Sequence, residues 1–309
     1  MFLYYKMGKN KNCYYYQTIY NNSGLFDKCV DATYIIHLEN NGRLNHIHNQ
    51  LNKFSTSSIV HILYNKGYKK CNKKLSIQDT KCDLFDAFLQ IFTHSLEKNY
   101  KNILILEDDF HFSEKINNNE IVSDICNFVN NKSTQNEKFL YKLGSLPVIK
   151  SFFNNHHFNI LNLASHSTIY SHELIKHVLE NHDPNFSDHW DKYLSLLIFE
   201  NVYTYSYKIP ICYQLFPMTE NRKVWTKSPF QKYMINLIFG WLKLDTQYEP
   251  GFTYIYNFSI FFTILVFVLL FWILCKLFTF IRKINISKYN IYKIKSNLFY
   301  YKNKYFQIL

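Results

Sequence analysis

Glycine is scarce in this chain, seven residues in 309, and none of them sits in a spacing that cradles phosphate. There is no GxGxxG and no GxxxxGK[ST], which excludes a dinucleotide fingerprint and a phosphate loop. A GxSxG nucleophile elbow is missing too. The seven cysteines show no CxxC spacing and no paired framework, and they read as reduced core or surface thiols. The histidine-rich stretch from His166 to His189 does not make a zinc helix. His172-Glu173 begins like HExxH, but His177 follows at five residues rather than four, which turns the two rings apart on a helix.

Acidic residues are absent from the whole C-terminal stretch. Lys276 to Leu309 carries seven Lys, one Arg and no Asp or Glu, so it holds eight of the chain's twelve net positive charges. The rest of the chain is left at a net +4, which is no nucleic-acid footprint. Immediately before this tail, Gly251 to Cys275 is an uncharged, mostly apolar run long enough to cross a bilayer once as a helix. The shorter apolar stretch Tyr233 to Leu244 is too short to cross, and is expected at the interface or packed on the domain. Two cues about orientation conflict. The basic flank favours a cytosolic tail. The N-terminus, MFLYYKMGKNKNCYYY, has no apolar core and no small-residue cleavage site, so it does not read as a secretory signal. With unpaired thiols, that slightly favours a cytosolic domain.

The expected organisation is an extension over residues 1–30, an α/β domain over 31–250, a transmembrane helix over 251–275 and a basic tail over 276–309. Within the domain, strand-like and helix-like segments alternate. Thr33 to Leu38, Ser58 to Tyr64 and Ile103 to Leu106 are apolar and rich in β-branched residues, whereas Arg43 to Phe54, Leu84 to Leu96, Glu120 to Val129, His172 to Glu180 and Trp190 to Phe199 read as helices. Shorter strands are expected at Phe139 to Leu143, Ile160 to Leu163 and Val202 to Tyr205. Alternation of this kind predicts βαβ units and a mostly parallel sheet flanked by helices.

The strongest chemical signal is Ile103-Leu104-Ile105-Leu106-Glu107-Asp108-Asp109, a buried strand ending in three carboxylates. Crowded carboxylates repel unless a cation lies among them. Side chains alternate along a strand, so Glu107 and Asp109 are expected on one face, as a pair able to hold a divalent metal, with Asp108 on the other. A solvated acidic turn would give the same tripeptide. Farther on, Asp188-His189-Trp190-Asp191 opens a helix. Asp188 or Asp191 is a candidate base or metal contact, although capping alone accounts for Asp188.

Taken in order, these segments resemble glycosyltransferase family 25, the lipooligosaccharide and procollagen galactosyltransferases. The resemblance runs over roughly Asp31 to Arg222, through Tyr34-Ile35-Ile36-His37-Leu38 with Arg43, Ile105-Leu106-Glu107-Asp108-Asp109-Phe110, Leu143-Gly144, Ser167-Thr168-Ile169-Tyr170-Ser171, Trp190-Asp191-Lys192-Tyr193-Leu194, and Pro210 with Gln214. It departs at Lys81-Cys82-Asp83-Leu84-Phe85-Asp86, where only the cysteine of the family's pattern is kept, and at the first of two usual arginines. The resemblance implies a GT-A fold with a Rossmann-like sheet, a nucleotide-sugar donor such as a UDP-hexose, a glycan or protein acceptor, inversion at the sugar carbon, and Mn²⁺ or Mg²⁺. It implies Leu38, Arg43, Asp108 and Gln214 at the donor, Glu107 and Asp109 at the metal, and Asp191, with Asp188 as alternate, at the acceptor hydroxyl. The competing reading is a membrane protein that keeps this fold without the chemistry.

Overall fold

The computed structural model describes residues 11–217, 222 and 228–306. The first ten residues of the expected extension and the last three of the tail lie outside the described residues. Contacts divide the chain into one unit ending at Ile260 and a second beginning at Phe261.

The first unit is built on a seven-stranded sheet in the order β1-β3-β2-β4-β7-β6-β8. Its centre is the parallel trio β3 (Ile59–Asn65), β2 (Ala32–Leu38) and β4 (Asn102–Glu107). The sheet is mixed rather than uniformly parallel: β1 (Tyr14–Tyr20) runs antiparallel to β3, and β7 (His156–Ser171) runs antiparallel to both β4 and β6 (Phe139–Lys150). The far edge, β8 (Tyr203–Tyr207), is parallel to β6. Tyr14–Tyr20, which the sequence reading leaves in an extension, is thus an edge strand of the domain.

Period-two alternation divides the strand side chains between two cores. Leu104 and Leu106 join Ile35 and Ile62 on the face covered by α1 (Leu44–Lys53) and α3 (Asn119–Thr134). Ile103 and Ile105 join Tyr34 and Ile36 on the face covered by α2 (Thr80–Glu97), α4 (His172–Asn181) and α5 (Trp190–Leu196). Continuous burial on both faces is why β4 reads as an unbroken apolar run and β2 as a mostly apolar one. A small antiparallel pair, β5 (Phe110–Phe112) with β9 (Cys212–Gln214), lies just past the exit of β4.

The cysteines are not all reduced. Cys13 is joined to Cys71 and Cys29 to Cys126, with Cα–Cα distances of 5.7 and 5.0 Å. The partners are 58 and 97 residues apart, so no local spacing reveals them. Cys82 and Cys212 are free and buried, and Cys275 is free and exposed.

Two helices close the described chain. The first, α6 (Pro229–Trp241), is capped by Ser228, whose hydroxyl accepts from Gln231 N. It packs through Phe239 against Phe216, which in turn stacks on Phe252, on the first turn of α7 (Gly251–Phe306). Gly251 is required at that contact: a Cβ there would lie 2.1 Å from the carbonyl oxygen of Leu242. Gly251–Arg282 is long and apolar enough to cross a membrane.

Candidate active site

The carboxylates lie at the carboxyl ends of β2 and β4, where open α/β sheets hold ligands. Strand alternation carries Glu107 toward the α5 side, but β4 ends at Glu107 and the chain turns at Asp108 and Asp109. The alternation therefore stops two residues earlier than the sequence suggests, and Asp109 shares a partner with Asp108. Arg43 Nη1, at the start of α1, donates to Asp108 Oδ1 at 2.6 Å and to Asp109 Oδ2 at 3.1 Å.

Asp108 is buried and fully engaged. Its Oδ2 accepts from Leu38 N at 3.1 Å and Asn41 Nδ2 at 2.5 Å, and His37 Nδ1 lies 3.4 Å away. Burial by itself would raise this carboxyl, but His37 and Arg43 together hold it below the ordinary range. Asp109 Oδ1 accepts from Gln214 Nε2 at 3.0 Å, so β9 is tied to the exit of β4. Burial raises Asp109, with Arg43 opposing and Asp108 adding to the rise. Glu107 is pushed up further, first by burial and then by the charges of Asp109, Asp191 and Asp108. Leu38, Arg43, Asp108, Asp109 and Gln214 are thus brought together by direct hydrogen bonds at one sheet end.

Asp191, on α5, lies near enough to Glu107 for its charge to help raise that carboxyl. Its oxygens accept from Ala164 N at 2.8 Å and Ser165 Oγ at 2.6 Å. Ala164 has a φ of +63°, a left-handed conformation unusual for a residue with a Cβ, and the β6–β7 register is irregular there. Lys142 Nζ, fully buried, donates to the carbonyl oxygen of Ala164 at 2.8 Å. Burial lowers the Lys142 ammonium to about 8, against the pull of Asp191 and Glu107. One two-residue bulge thus holds both a carboxylate and an amine. Opposite it, Gly144 lets β9 approach: a Cβ there would lie 1.9 Å from the carbonyl oxygen of Cys212 and 2.6 Å from His166 Nε2.

Helix α5 is fixed in place by Trp190, which stacks on Phe88 at 4.4 Å and donates through Nε1 to Tyr170 at 3.1 Å. Asp188 is turned elsewhere. It accepts from His189 N at 2.8 Å and pairs with Lys192, and the helix N-cap is His189. The lysine's hydrogen bond pulls the Asp188 carboxyl below its ordinary value. Asp188 is therefore an outer, ion-paired residue rather than the cap that the sequence suggests.

A cleft of about 370 Å³ opens beside Arg43, lined by Tyr15, His37, Glu39, Asn40, Leu44 and Tyr64, among others. Tyr15 and Tyr64 stack at 4.6 Å with rings nearly parallel, which gives the cleft an aromatic wall. Sequence reasoning missed Tyr15, Lys142 and Ser165. Only Lys142 left a signal, a charged residue inside the apolar strand Phe139-Leu140-Tyr141-Lys142-Leu143.

Among the described residues no group of three or more His, Cys, Asp or Glu side chains gathers to hold a metal. Glu107 and Asp109, the two residues expected at a metal, are carboxylates whose charges act on one another, and no third such ligand joins them among the described residues. Mg²⁺ commonly takes one or two carboxylates and completes its sphere with water and substrate phosphates.

No family model and no curated protein matches the sequence. Among solved structures, the chain is similar to a Bacillus anthracis protein described as a glucose-1-phosphate thymidylyltransferase, crystallised with sucrose. The identity is 11% and the TM-score 0.31, over 71% of this chain and 79% of that one. A likeness at this level assigns neither fold nor function.

Proposed function

We propose that this chain is a membrane-anchored glycosyltransferase of the GT-A type, moving a hexose from a nucleoside diphosphate sugar to a hydroxyl of a glycan or protein. The observation that carries the reading is the cluster of carboxylates and one arginine at one sheet end, with Asp191 within electrostatic reach of Glu107. Glu107, Asp108, Asp109 and Arg43 gather at the exit of β4, and the charge of Asp191, which is held by the β7 bulge, reaches Glu107. The family 25 resemblance assigns donor and acceptor roles to these same two groups.

In this reading the nucleoside enters the cleft lined by Tyr15, His37 and Tyr64, and Arg43 meets the diphosphate. Asp191 takes the proton from the acceptor hydroxyl. The freed oxygen bonds to the anomeric carbon from the face opposite the leaving group, the carbon–oxygen bond to the diphosphate breaks, and the nucleoside diphosphate departs with the electron pair. Mn²⁺ or Mg²⁺ held at Glu107 and Asp109 would neutralise charge on the departing diphosphate. Lys142 offsets the charge of Asp191 and keeps the bulge closed.

We infer that the domain faces an oxidising compartment, with the basic tail in the cytosol. Two disulfides support this, because cytosolic thiols are kept reduced, and the lysine-rich flank points the same way. That reverses the orientation favoured by the sequence alone.

One observation favours a second reading, donor binding without transfer: both oxygens of Asp109 already accept, from Arg43 and from Gln214. A single experiment separates the two. Full-length protein in detergent is incubated with Mn²⁺ and a panel of nucleotide sugars, and nucleoside diphosphate release is followed. Release from at least one donor, abolished by chelation, supports the enzyme. Binding without release supports the second reading, and the absence of both refutes the nucleotide-sugar site.

A further inference from the structure

Helix α6 carries an apolar face that the domain does not use. Phe230, Tyr233, Met234, Leu237, Ile238 and Trp241 are all exposed, Trp241 by 80% and Phe230 by 72%. At 100° per residue these six positions fall within an arc of about 140°. No charged residue shares that arc. Phe239, on the opposite side of the helix, is buried against Phe216 in the apolar cluster that also holds Phe252. The pattern is inverted relative to an ordinary surface helix, which turns its polar side outward.

We propose that α6 is an interfacial helix, lying in the plane of the bilayer with this face among the upper acyl chains. The inference rests on the membrane anchoring proposed above. Two features select lipid as the occupant. Within the domain unit, α6 shares an apolar cluster with Phe252, and its C-cap Leu242 lies against Gly251; Gly251 and Phe252 open the run long enough to cross a membrane. The stripe also carries Tyr233 toward one end and Trp241 at the other, the residue types enriched at the level of lipid headgroups. At thirteen residues α6 is too short to span, which leaves the surface of the bilayer as its place. The domain would then be held to the membrane by two elements, with one helix crossing and one lying flat.

The test uses the full chain in nanodiscs of mixed neutral and anionic phospholipid, with the exposed Cys275 replaced by serine. A nitroxide is attached at Leu237→Cys, and separately at Val268→Cys in the span and at Lys232→Cys on the side of α6 away from the apolar arc. Accessibility to oxygen, which concentrates in acyl chains, is compared with accessibility to a water-soluble nickel chelate. The expected result is oxygen dominance at 237 and 268 and nickel dominance at 232. Nickel dominance at 237 with oxygen dominance at 268 overturns the interfacial helix and leaves the span intact, whereas nickel dominance at both overturns the anchoring as well. Exclusion of both reagents at 237 means that protein, a partner or a second copy, covers the face, and this also overturns the proposal.

Discussion

The Asp191 carboxylate accepts a 2.8 Å hydrogen bond from the backbone N–H of Ala164, whose φ is +63°. A non-glycine residue in this conformation costs about 1–3 kcal/mol, and such strain persists where the surroundings enforce it, often at functional sites. Here Lys142 takes the carbonyl oxygen of the same residue, and Ser165 Oγ adds a second bond to Asp191 at 2.6 Å.

If Asp191 is the base, Asp191→Asn lowers kcat by roughly two to four orders of magnitude and leaves donor affinity unchanged, because the base acts only in transfer. Ser165→Ala removes one of the two bonds and should lower kcat by roughly tenfold, the equivalent of one hydrogen bond to a charge. Asp188→Asn should leave turnover near that of the wild type, since Asp188 faces Lys192. An inactive Asp188 variant beside an active Asp191 variant would assign the base to Asp188.

Trp190→Ala should destabilise the domain by about 3–5 kcal/mol, the usual penalty for emptying an aromatic core site. Trp190 is 2% exposed and packs among Phe85, Phe88, Phe92 and Tyr193. Thermal melting of the full chain in detergent reads the loss. A melting temperature within a degree of wild type would mean that α5 is not anchored through this residue.

The disulfides predict a thiol count. Denatured but unreduced protein taken from cells should react with maleimide at three cysteines, Cys82, Cys212 and Cys275, and at all seven after reduction. Seven reactive thiols before reduction would remove both the disulfides and the argument for an oxidising compartment.

Acid should weaken the fold through His61 and His94. Burial lowers both from 6.5 to about 4, with Thr18 and Tyr100 bonded to His61 and Tyr34 to His94. Between those values the unfolded chain binds more protons than the folded one, so stability falls as pH drops from about 6.5 to about 4 and changes little from these groups below that. Urea midpoints measured across this window check the sign. His61→Phe should flatten the slope, and an unchanged slope would exonerate the pair.

What was legible in the sequence follows from burial. β2 and β4 are covered on both faces and announce themselves as apolar runs, and α2 shows its stripe. β1 was not legible, because an edge strand of alternating exposure, Tyr14-Tyr15-Tyr16-Gln17-Thr18-Ile19-Tyr20, is half polar. The start of β7, His156 to Asn159, escaped for a similar reason, being mostly polar, whereas Ile160 to Leu163 was expected as strand. The carboxylates at the exit of β4 stood out by type and crowding. The pairing of Arg43 with both Asp108 and Asp109 did not, since it depends on a turn beginning one residue after Glu107. The bulge at Ala164 and Ser165, which aims Asp191, leaves no trace in residue type.

The central claim is that the carboxylates at the end of β4 receive a nucleoside diphosphate together with a divalent cation. Calorimetric titration of UDP into the full chain with Mn²⁺, with chelator, and into Asp109→Asn tests it most directly, since a neutral amide cannot offset the cation's charge. The account predicts binding by wild type that requires Mn²⁺ and weakens at least tenfold in a variant that melts like wild type. Equal affinity for the two proteins, or wild-type binding indifferent to Mn²⁺, would contradict it.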